Sequence, residues 1–277
     1  MVDLHTHILP GVDDGATDLT ETLAMLDMAR EDGITDVVAS PHANLRFEFD
    51  PERCRRERDR IALRCPDGPV VHLGCELHLT PENLDAVLLR PELFTINSNG
   101  FLLLELPPGA LRAIVDASIQ RLLNARIRPL IAHPEREHLF QKDSRYAFEL
   151  AEMGVYFQVT AQAINVAQPT CKALLKHRLV HVVASDAHGV THRRPLLSAA
   201  YKTVVQDFDH ATADLLFVEN PSACLAGRPL ACAQPRRSFF SVFKKQQTNS
   251  CPHDLGNAPG RISPQPQLPA GSLKAAT

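Results

Sequence analysis

Short runs of β-branched and aliphatic residues alternate along the chain with longer stretches whose apolar residues recur at helical spacing. The runs predict seven strands, and the stretches between them predict helices. The predicted strands are 2–6, 34–39, 70–75, 101–106, 128–132, 155–160 and 180–185, and the predicted helices are 18–32, 51–64, 110–126, 143–153 and 169–178. Gly33 and Gly154 directly follow two of the helices, where glycine commonly ends a helix. This alternation predicts an α/β protein with a parallel sheet, either closed as a barrel or open.

Length, charge and cysteine usage narrow the class of protein. The 277 residues suit one large domain or two small ones. A formal net charge of −3 gives no reason to expect a nucleic-acid partner. No apolar run approaches the length of about 18 residues that spans a bilayer, and we expect neither a transmembrane segment nor a secretory signal. Seven scattered cysteines without a CxxC pair predict a reduced, cytoplasmic setting.

A change of composition near residue 230 predicts a domain over 1–230 and a tail over 231–277. Residues 233–277 hold six prolines, six Lys or Arg and a single acid, Asp254, which is typical of a disordered segment. Within the tail, RRSFFSVFKK at 236–245 is basic and rich in phenylalanine. Such a stretch suits an acidic partner or a membrane surface, but an ordinary tail is the favoured interpretation.

Metal-ligand side chains follow six of the seven predicted strands. They are His5 and His7, Asp13 or Asp14, His42, Glu76, Glu105, His133, Asp186 and His188. Each alone has a structural explanation, such as an ion pair or a helix start. Parallel α/β folds place their active sites at the carboxyl ends of the strands, so the coincidence of six favours one metal site. Imidazoles and carboxylates without a thiolate suit Mn²⁺, Fe²⁺ or Zn²⁺.

The number of candidate ligands exceeds what one ion requires. Two or three clustered ions activate water and neutralise oxyanions, which predicts hydrolysis of a phosphate ester. Arg136 lies three residues after His133, and Arg193 lies five residues after His188. Either arginine could grip phosphate oxygens in a forked contact. Each could also be a surface residue, but beside a metal cluster phosphate contact is the favoured role.

A competing phosphatase motif is present in the spacing Cys-x5-Arg, from Cys54 to Arg60. Cysteine-based phosphatases need a glycine-rich loop whose amides cradle the phosphate and lower the pKa of the thiol. The stretch CRRERDR is charged, lacks glycine and lies in a predicted helix. We therefore interpret the match as chance. The GxSxG and GxxxxGK[ST] motifs are both absent from the sequence, so serine-hydrolase and P-loop chemistry lack support.

The residues collected above resemble the PHP (polymerase and histidinol phosphatase) family, and within it the bacterial capsule-type manganese-dependent protein-tyrosine phosphatases. The stretches that carry the resemblance are DLHTHILPGVDDGA, VVASPH, GCELHL, LLLELP, IAHPER and SDAHG, followed by RRP at 193–195. They occur in family order over about residues 1–205. The HxH opening alone is weak, and its combination with ILPGVDDG and HPER is specific.

The resemblance implies a fold, a ligand set and a substrate. The fold would be a distorted barrel of seven βα units, a TIM-like barrel, around three ions. The resemblance selects Asp14 rather than Asp13. By resemblance, one ion would be held by His5, His7, Glu76 and Asp186, a second by Glu76, Glu105 and His133, and a third by Asp14, His42 and His188. Arg136 and Arg193 would bind phosphate, and His42 would assist departure of the tyrosyl oxygen.

By the same resemblance the cofactor would be Mn²⁺, and the substrate would be phosphotyrosine on the tail of a bacterial tyrosine kinase that governs capsule or exopolysaccharide export. The naming of a substrate rests on analogy alone. One departure is Ala43, where relatives often carry a second histidine. The sequence leaves the oligomeric state open, and a homo-oligomer is compatible with it.

Two alternatives stay open at this point. The first is a PHP phosphatase for a small phosphate monoester such as histidinol phosphate, which would ignore phosphotyrosine peptides. The second is a metal-stabilised binding module without turnover. All nine ligand positions are filled, which disfavours a pure binding role, and turnover of any phosphate ester would exclude it.

Overall fold

The computed structural model describes residues 1–143 and 145–231. Nine parallel strands form its centre. They are β1 (Val2–Thr6), β2 (Asp36–Ala39), β3 (His42–Ala43), β4 (Val70–Leu73), β5 (Glu76–His78), β6 (Phe101–Glu105), β7 (Arg128–Ala132), β8 (Tyr156–Thr160) and β9 (Val182–Ala184). A connection that crosses back over the sheet joins each strand to the strand with which it pairs. Paired strands therefore run in the same direction.

The strands fall into two sheets that together curl into a distorted barrel. One sheet has the order β1-β2-β4, and the other has the order β3-β5-β6-β7-β8-β9. In sequence β3 follows β2 directly and β5 follows β4, so the second sheet continues the first. The circle closes between β1 and the segment after β9, where the N–H of Asp186 donates to the carbonyl of His5 and the N–H of His7 donates to that of Ala187. When β2 is counted with β3 and β4 with β5, the nine strands make seven units, and the predicted seven-unit barrel is confirmed.

Helices cover the outside of the sheets. The α-helices are α1 (Leu19–Glu31), α2 (Pro51–Arg64), α3 (Pro81–Leu89), α4 (Pro91–Phe94), α5 (Arg112–Asn124), α6 (His138–Lys142), α7 (Arg145–Met153), α8 (Ala161–Asn165), α9 (Pro169–Lys176), α10 (Ser198–Asp207), α11 (His210–Asp214) and α12 (Asn220–Leu225). Ile96–Ser98 and Pro134–Arg136 form 3₁₀ turns, and Leu215–Glu219 forms a π-helical turn between α11 and α12. No helix in the described ranges is long and apolar enough to cross a bilayer.

The helix starts follow directly from the sequence. Asp18 caps α1 by accepting the N–H of Glu21, and Asp50 caps α2 by accepting two backbone N–H groups. Such caps contribute about 1 kcal/mol each by satisfying donors that the helix leaves free. α1 buries Met25, Leu26 and Ala29 against the sheet, which is the apolar face that its spacing predicts. Because α1 follows β1 and α2 follows β3, both helices begin on the side of the sheet where the strands end.

The predicted strand 70–75 ends earlier, at Leu73, and a second strand, β5, begins at Glu76 after a break at Gly74 and Cys75. A Cβ atom on Gly74 would lie 3.0 Å from Cγ1 of Val38 and 3.1 Å from Cγ1 of Ile96, so the chain turns where only glycine fits closely. The break lets β5 begin at Glu76 and pair with β3 and β6, with His42 opposite Glu76 and His78 opposite Glu105.

The amino-terminal end of the barrel is closed by the last described helix. Cys224 and Leu230 pack with Val2, Leu4 and Phe101 in one buried cluster. Asn220 fixes this closure, because its side-chain amide donates to the carbonyls of His181 and Ala231. The carboxyl end is left as the open face. From residue 232 onward the predicted tail lies outside the described residues, and the domain boundary stays a prediction.

Candidate metal centre

His5 and His7 project from the end of β1 to the same point. Their Nε2 atoms lie 3.2 Å apart, and both side chains are buried. Residues two apart in a strand share a face, so the HxH spacing accounts for the convergence. The Nε2 atoms of both rings lie 3.2 Å from Oε2 of Glu76.

Glu76 is the centre of the cluster. Besides the two histidines of β1, its carboxylate lies 3.0 Å from Nδ1 of His42 and 2.8 Å from Nε2 of His133. The strand break that starts β5 at Glu76 brings the carboxylate opposite His42 in register. Four imidazoles around one buried carboxylate form an arrangement that suits a bridging ligand between ions.

The remaining predicted ligands surround this core. Oε1 of Glu105 lies 3.9 Å from Nε2 of His133. Oδ1 of Asp14 lies 3.5 Å from Nε2 of both His42 and His188. Asp14 is the most exposed member, at 38% of its side chain, and so marks the outer side of the cluster.

Asp186 links the cluster to the two predicted phosphate-binding arginines. Its Oδ1 lies 3.3 Å from Nε2 of His5, and its Oδ2 lies 2.7 Å from Nη1 of Arg136. Arg193 forms an ion pair with the same Oδ2 and contacts Nε2 of His188 at 3.0 Å. The carboxylate is buried, whereas the arginine side chains are 40% and 34% exposed. Both guanidinium groups therefore retain N–H donors for a ligand at the open face.

All nine predicted ligands come together in four overlapping groups whose ligand atoms lie within 4.8 Å of one another. The groups are His7, Asp14, His42 and His188; His5, His7 and Asp186; His5, Glu76 and His133; and His42, Glu76 and Glu105. The groups share members, as expected of neighbouring ions with bridging ligands. The grouping resembles the three-ion assignment given above but distributes His5, His7 and His42 over more than one group.

The orientation of two rings fits a metal ion. The amide of Gln158 donates to the carbonyl of Val159, so its Oε1, 2.9 Å from Nδ1 of His5, accepts the Nδ1–H. Asp13 likewise accepts the Nδ1–H of His7 at 2.6 Å. In the neutral rings both Nε2 lone pairs then point at the carboxylate of Glu76, whose buried Oε2 lacks a hydrogen-bond partner among the described residues. Lone pairs facing a carboxylate need a positive charge between them, either a proton or a metal ion, and the convergence of both Nε2 atoms on one carboxylate oxygen fits a metal ion.

Charge interactions shift several pKa values in the cluster. Burial by itself lowers the pKa of His7, but the hydrogen bond to Asp13 and the negative charges of Asp13 and Glu76 outweigh burial and raise it to about 10. Burial by itself raises the pKa of Asp13, but the hydrogen bond to His7 outweighs burial and lowers this pKa to about 2. Burial, together with the charges of His7 and Arg193, lowers the pKa of His188 to about 4. The carboxylates thus stay ionised and demand positive charge nearby.

Three predicted site residues have left-handed backbone conformations. His133 has φ 32°, Asp186 has φ 57° and Arg193 has φ 49°. L-residues other than glycine adopt this region at an energetic cost, and such residues cluster at functional sites. Surrounding hydrogen bonds hold the His133 turn, because the amides of Gln141 and Gln168 both donate to the carbonyl of Glu135.

A family model described as "Capsular polysaccharide synthesis, CpsB/CapC" matches residues 1–226. The chain belongs to the CpsB/CapC family. The match spans every residue of the metal cluster.

Relatives within the CpsB/CapC family are similar over most of their length. The tyrosine-protein phosphatase CpsB of Streptococcus agalactiae serotype V is 28% identical over 239 residues, which cover 81% of this chain and 98% of CpsB. The tyrosine-protein phosphatase YwqE of Bacillus subtilis is 28% identical over 256 residues, which cover 88% of this chain and 100% of YwqE.

Solved structures agree with the family. A crystal structure from work on YwqE of Bacillus subtilis and CpsB of Streptococcus pneumoniae, described as "unique metal-dependent tyrosine phosphatases", superposes with a TM-score of 0.76 at 28% identity. The superposition covers 85% of this chain and 98% of that structure. A probable 2-pyrone-4,6-dicarboxylic acid hydrolase from Acinetobacter baumannii, at 15% identity over 81% of this chain and 98% of its own and with a TM-score of 0.51, shares the fold alone.

Several contacts beside the cluster of this CpsB/CapC chain were not predicted from the sequence. Asp13, weighed there as a ligand against Asp14, accepts a hydrogen bond from the ring of His7. Gln158 is a polar residue inside the apolar run of β8, which is a usable signal of a buried role. His78 lies two residues after Glu76 and its Nδ1 lies 2.9 Å from Oε2 of Glu105. Glu135 sits between two predicted site residues, and its Oε1 accepts two hydrogen bonds from Thr160.

The Cys-x5-Arg match lies in helix α2, and none of its residues belongs to the four ligand groups of the metal cluster. Cys54 is 1% exposed in the first turns of α2, and burial raises the pKa of its thiol to about 12. A thiolate at neutral pH is therefore negligible there. The match has no part in the metal cluster.

Proposed function

We propose that this CpsB/CapC protein is a metal-dependent phosphatase that hydrolyses phosphotyrosine in proteins. The observation that carries the proposal is the buried pair Glu76 and Asp186, surrounded by imidazoles and tied to Arg136 and Arg193 at the open face. The names of the relatives, which are tyrosine-protein phosphatases, support the choice of substrate class.

We assign the metal-binding role to nine residues. They are His5, His7, Asp14, His42, Glu76, Glu105, His133, Asp186 and His188. Five imidazoles and four carboxylates without thiolate suit Mn²⁺, with Fe²⁺ or Zn²⁺ also compatible. The overlap of the four ligand groups supports two or three ions. When bound, such ions supply Lewis-acid charge and make water acidic enough to act as a nucleophile.

The chain's own residues then have distinct tasks. Arg136 and Arg193 bind the phosphoryl oxygens with their free N–H groups, and their ion pairs to Asp186 hold them in place. We assign to His42, at the less buried edge of the cluster, the role of assisting departure of the tyrosyl oxygen. A phenolate leaves comparatively easily, so this assistance is less demanding than for an alkyl ester.

The finer substrate and setting are proposals as well. We propose a bacterial tyrosine kinase, acting in capsule or exopolysaccharide biosynthesis, as the phosphorylated protein, since the family model is described by capsular polysaccharide synthesis. The cytoplasmic location stays a prediction from cysteine usage. A homo-oligomer is a further prediction, for which light scattering coupled to size-exclusion chromatography is the test.

The deciding experiment measures phosphate release from a phosphotyrosine peptide by metal-stripped protein with and without restored Mn²⁺. We expect Mn²⁺ to restore turnover in the wild type and in Cys54→Ser, and His133→Ala to be inactive. Activity that needs Cys54 and ignores metal would overturn the proposal. Turnover of histidinol phosphate but of no phosphotyrosine peptide would keep the chemistry and change the substrate. The absence of turnover on either would favour a binding module.

A further inference from the structure

Helix α2 carries six arginines, and acids of the helix form ion pairs with only half of them. Its arginines are Arg53, Arg55, Arg56, Arg58, Arg60 and Arg64. Acids of the same helix pair with three of them, Glu52 with Arg55, Asp59 with Arg58 and Glu57 with Arg60. Within residues 1–143 and 145–231, Arg53, Arg56 and Arg64 form no such ion pair. Arg53 and Arg56 are exposed in the first turns of the helix, whereas Arg64 is exposed in its last turn.

The loop that leads into α2 carries another arginine, Arg46, for which the described part of the chain offers no ion pair. Arg46 is exposed and its guanidinium lies over the ring of Phe47, 4.8 Å from the ring centroid. The Phe47 ring in turn stacks on His42, with centroids 6.0 Å apart and planes 10° apart. Asn44 fixes the loop, because its Oδ1 accepts the N–H groups of Arg46 and Phe47 at 2.9 Å each. Arg46 is therefore held one ring away from a predicted metal ligand.

Arg53 ties the start of α2 to the opposite side of the same opening. Its Nη2 donates to the carbonyl of Gly11 at 2.5 Å, and Gly11 lies in the segment between β1 and α1 that also carries Asp13 and Asp14. Arg56 lies three residues further on and shares this helix face. Asp50, directly before the helix, accepts two backbone N–H groups as its cap. We refer to Arg46, Arg53 and Arg56 as the cationic rim.

We infer that the cationic rim binds acidic residues that flank the phosphotyrosine in the substrate protein. The inference rests on the proposed function and deepens it by naming a property of the substrate. Guanidinium groups recognise carboxylates through paired N–H donors. A guanidinium group that has no ion pair within the protein can bind a carboxylate of the substrate without breaking one. The three guanidinium groups of the rim outnumber the two exposed acids of the same loop, Glu48 and Asp50, on a chain whose formal net charge is −3.

The test compares binding of two fluorescein-labelled peptides by anisotropy. Both carry a non-hydrolysable phosphonate analogue of phosphotyrosine, one with Asp and Glu at the flanking positions and the other with Asn and Gln. We expect the manganese-loaded full-length protein to bind the acidic peptide about five- to tenfold more tightly at low salt. The preference should shrink as salt shortens the Debye length below about 10 Å.

Variants locate the preference on the rim. The double variant Arg46→Gln, Arg56→Gln is expected to lose most of the preference while binding the neutral peptide as the wild type does. It spares Arg53, whose contact with Gly11 supports the loop. Arg64→Gln, in the last turn of α2, is the matched control and should keep the full preference. Arg56→Glu is expected to reverse the preference in part.

Each outcome decides the inference separately from the proposed function. Equal binding of the two peptides by the wild type, or a preference that survives in the double variant, overturns the inference. Turnover of the corresponding phosphotyrosine peptides is measured in parallel and tests the proposed function. A preference without turnover would support the rim and contradict the function, and turnover without a preference would do the opposite.

Discussion

Oδ2 of Asp13 lies 2.6 Å from Nδ1 of His7 and 3.1 Å from the backbone N–H of His42, so one carboxylate orients a ring of β1 and fixes the start of β3. This contact sets the tautomer of His7 and directs its Nε2 at the centre of the cluster. Asp13 is thus a positioning residue next to a predicted ligand, Asp14. A carboxylate behind a histidine also makes the ring a stronger donor to a metal.

Replacing this carboxylate should weaken metal binding. We expect Asp13→Asn to lower the affinity for Mn²⁺ about 10- to 100-fold, because the amide is a poorer acceptor for the His7 Nδ1–H. Calorimetric titration of the metal-stripped protein measures the affinity directly. Asp27→Asn, on the exposed face of α1, is the control and should bind as the wild type does. Unchanged affinity in Asp13→Asn would remove Asp13 from the site.

The glycine after the two aspartates should tolerate no side chain. A Cβ atom on Gly15 would lie 1.9 Å from the carbonyl oxygen of His7 and 2.4 Å from its Cβ. We expect Gly15→Ala to displace the loop and to cost more than about 2 kcal/mol of unfolding free energy. Chemical denaturation measures the cost. Gly109→Ala is the control, since it has φ 76° but open space around it, and should cost about 1 kcal/mol. Similar losses in both variants would contradict the steric argument.

Removal of metal should destabilise the fold measurably. A ligand at a hundred times its dissociation constant contributes about 2.7 kcal/mol, which corresponds to roughly 5–10 °C in Tm for a domain of this size. We expect EDTA to lower the Tm by that amount and added Mn²⁺ to restore it, as followed by circular dichroism. Glu76→Gln removes the central carboxylate, and its Tm should respond far less to either addition. An equal response in this variant would place the stabilising ion elsewhere.

The thiol of Cys54 should be inert in the folded protein. With a pKa of about 12 it stays protonated at pH 8, and the protonated form does not react with iodoacetamide. Mass spectrometry after alkylation should find the Cys54 peptide unmodified in native protein and modified after denaturation. Phosphatase activity should survive the native treatment. Rapid alkylation of Cys54 with parallel loss of activity would revive the cysteine motif.

The arrangement of strands and ligands was accessible from local pattern, whereas the contacts that orient the ligands were not. Strand ends are visible as apolar runs that stop at a polar residue, and parallel order brings those ends together. The contact between Gln158 and His5 joins residues 153 positions apart, and single-sequence periodicity carries no information about such a pair. The two-residue strand at His42 was missed because it exists only through its pairing with β5.

The short helices after β8 and β9 were also beyond local pattern. α8 has five residues, and α11 is followed by a π-helical turn, so neither offers the two or more turns of regular spacing that a prediction needs. Their positions depend on tertiary contacts. Asp32, which follows α1, shows this by accepting the N–H groups of Leu197 and Ser198 at the start of α10.

The closure of the barrel between His5 and Asp186 determines when the protein can become functional during synthesis. β1 leaves the ribosome first, yet one of its edges remains unsatisfied until the segment after β9 has emerged. Contacts of such large sequence separation form late, because the intervening loop must be ordered first. The nascent chain therefore lacks Asp186 and His188, two of the proposed ligands, through most of translation. A chain truncated before residue 186 should lack both the closing contact of the barrel and the complete set of proposed ligands.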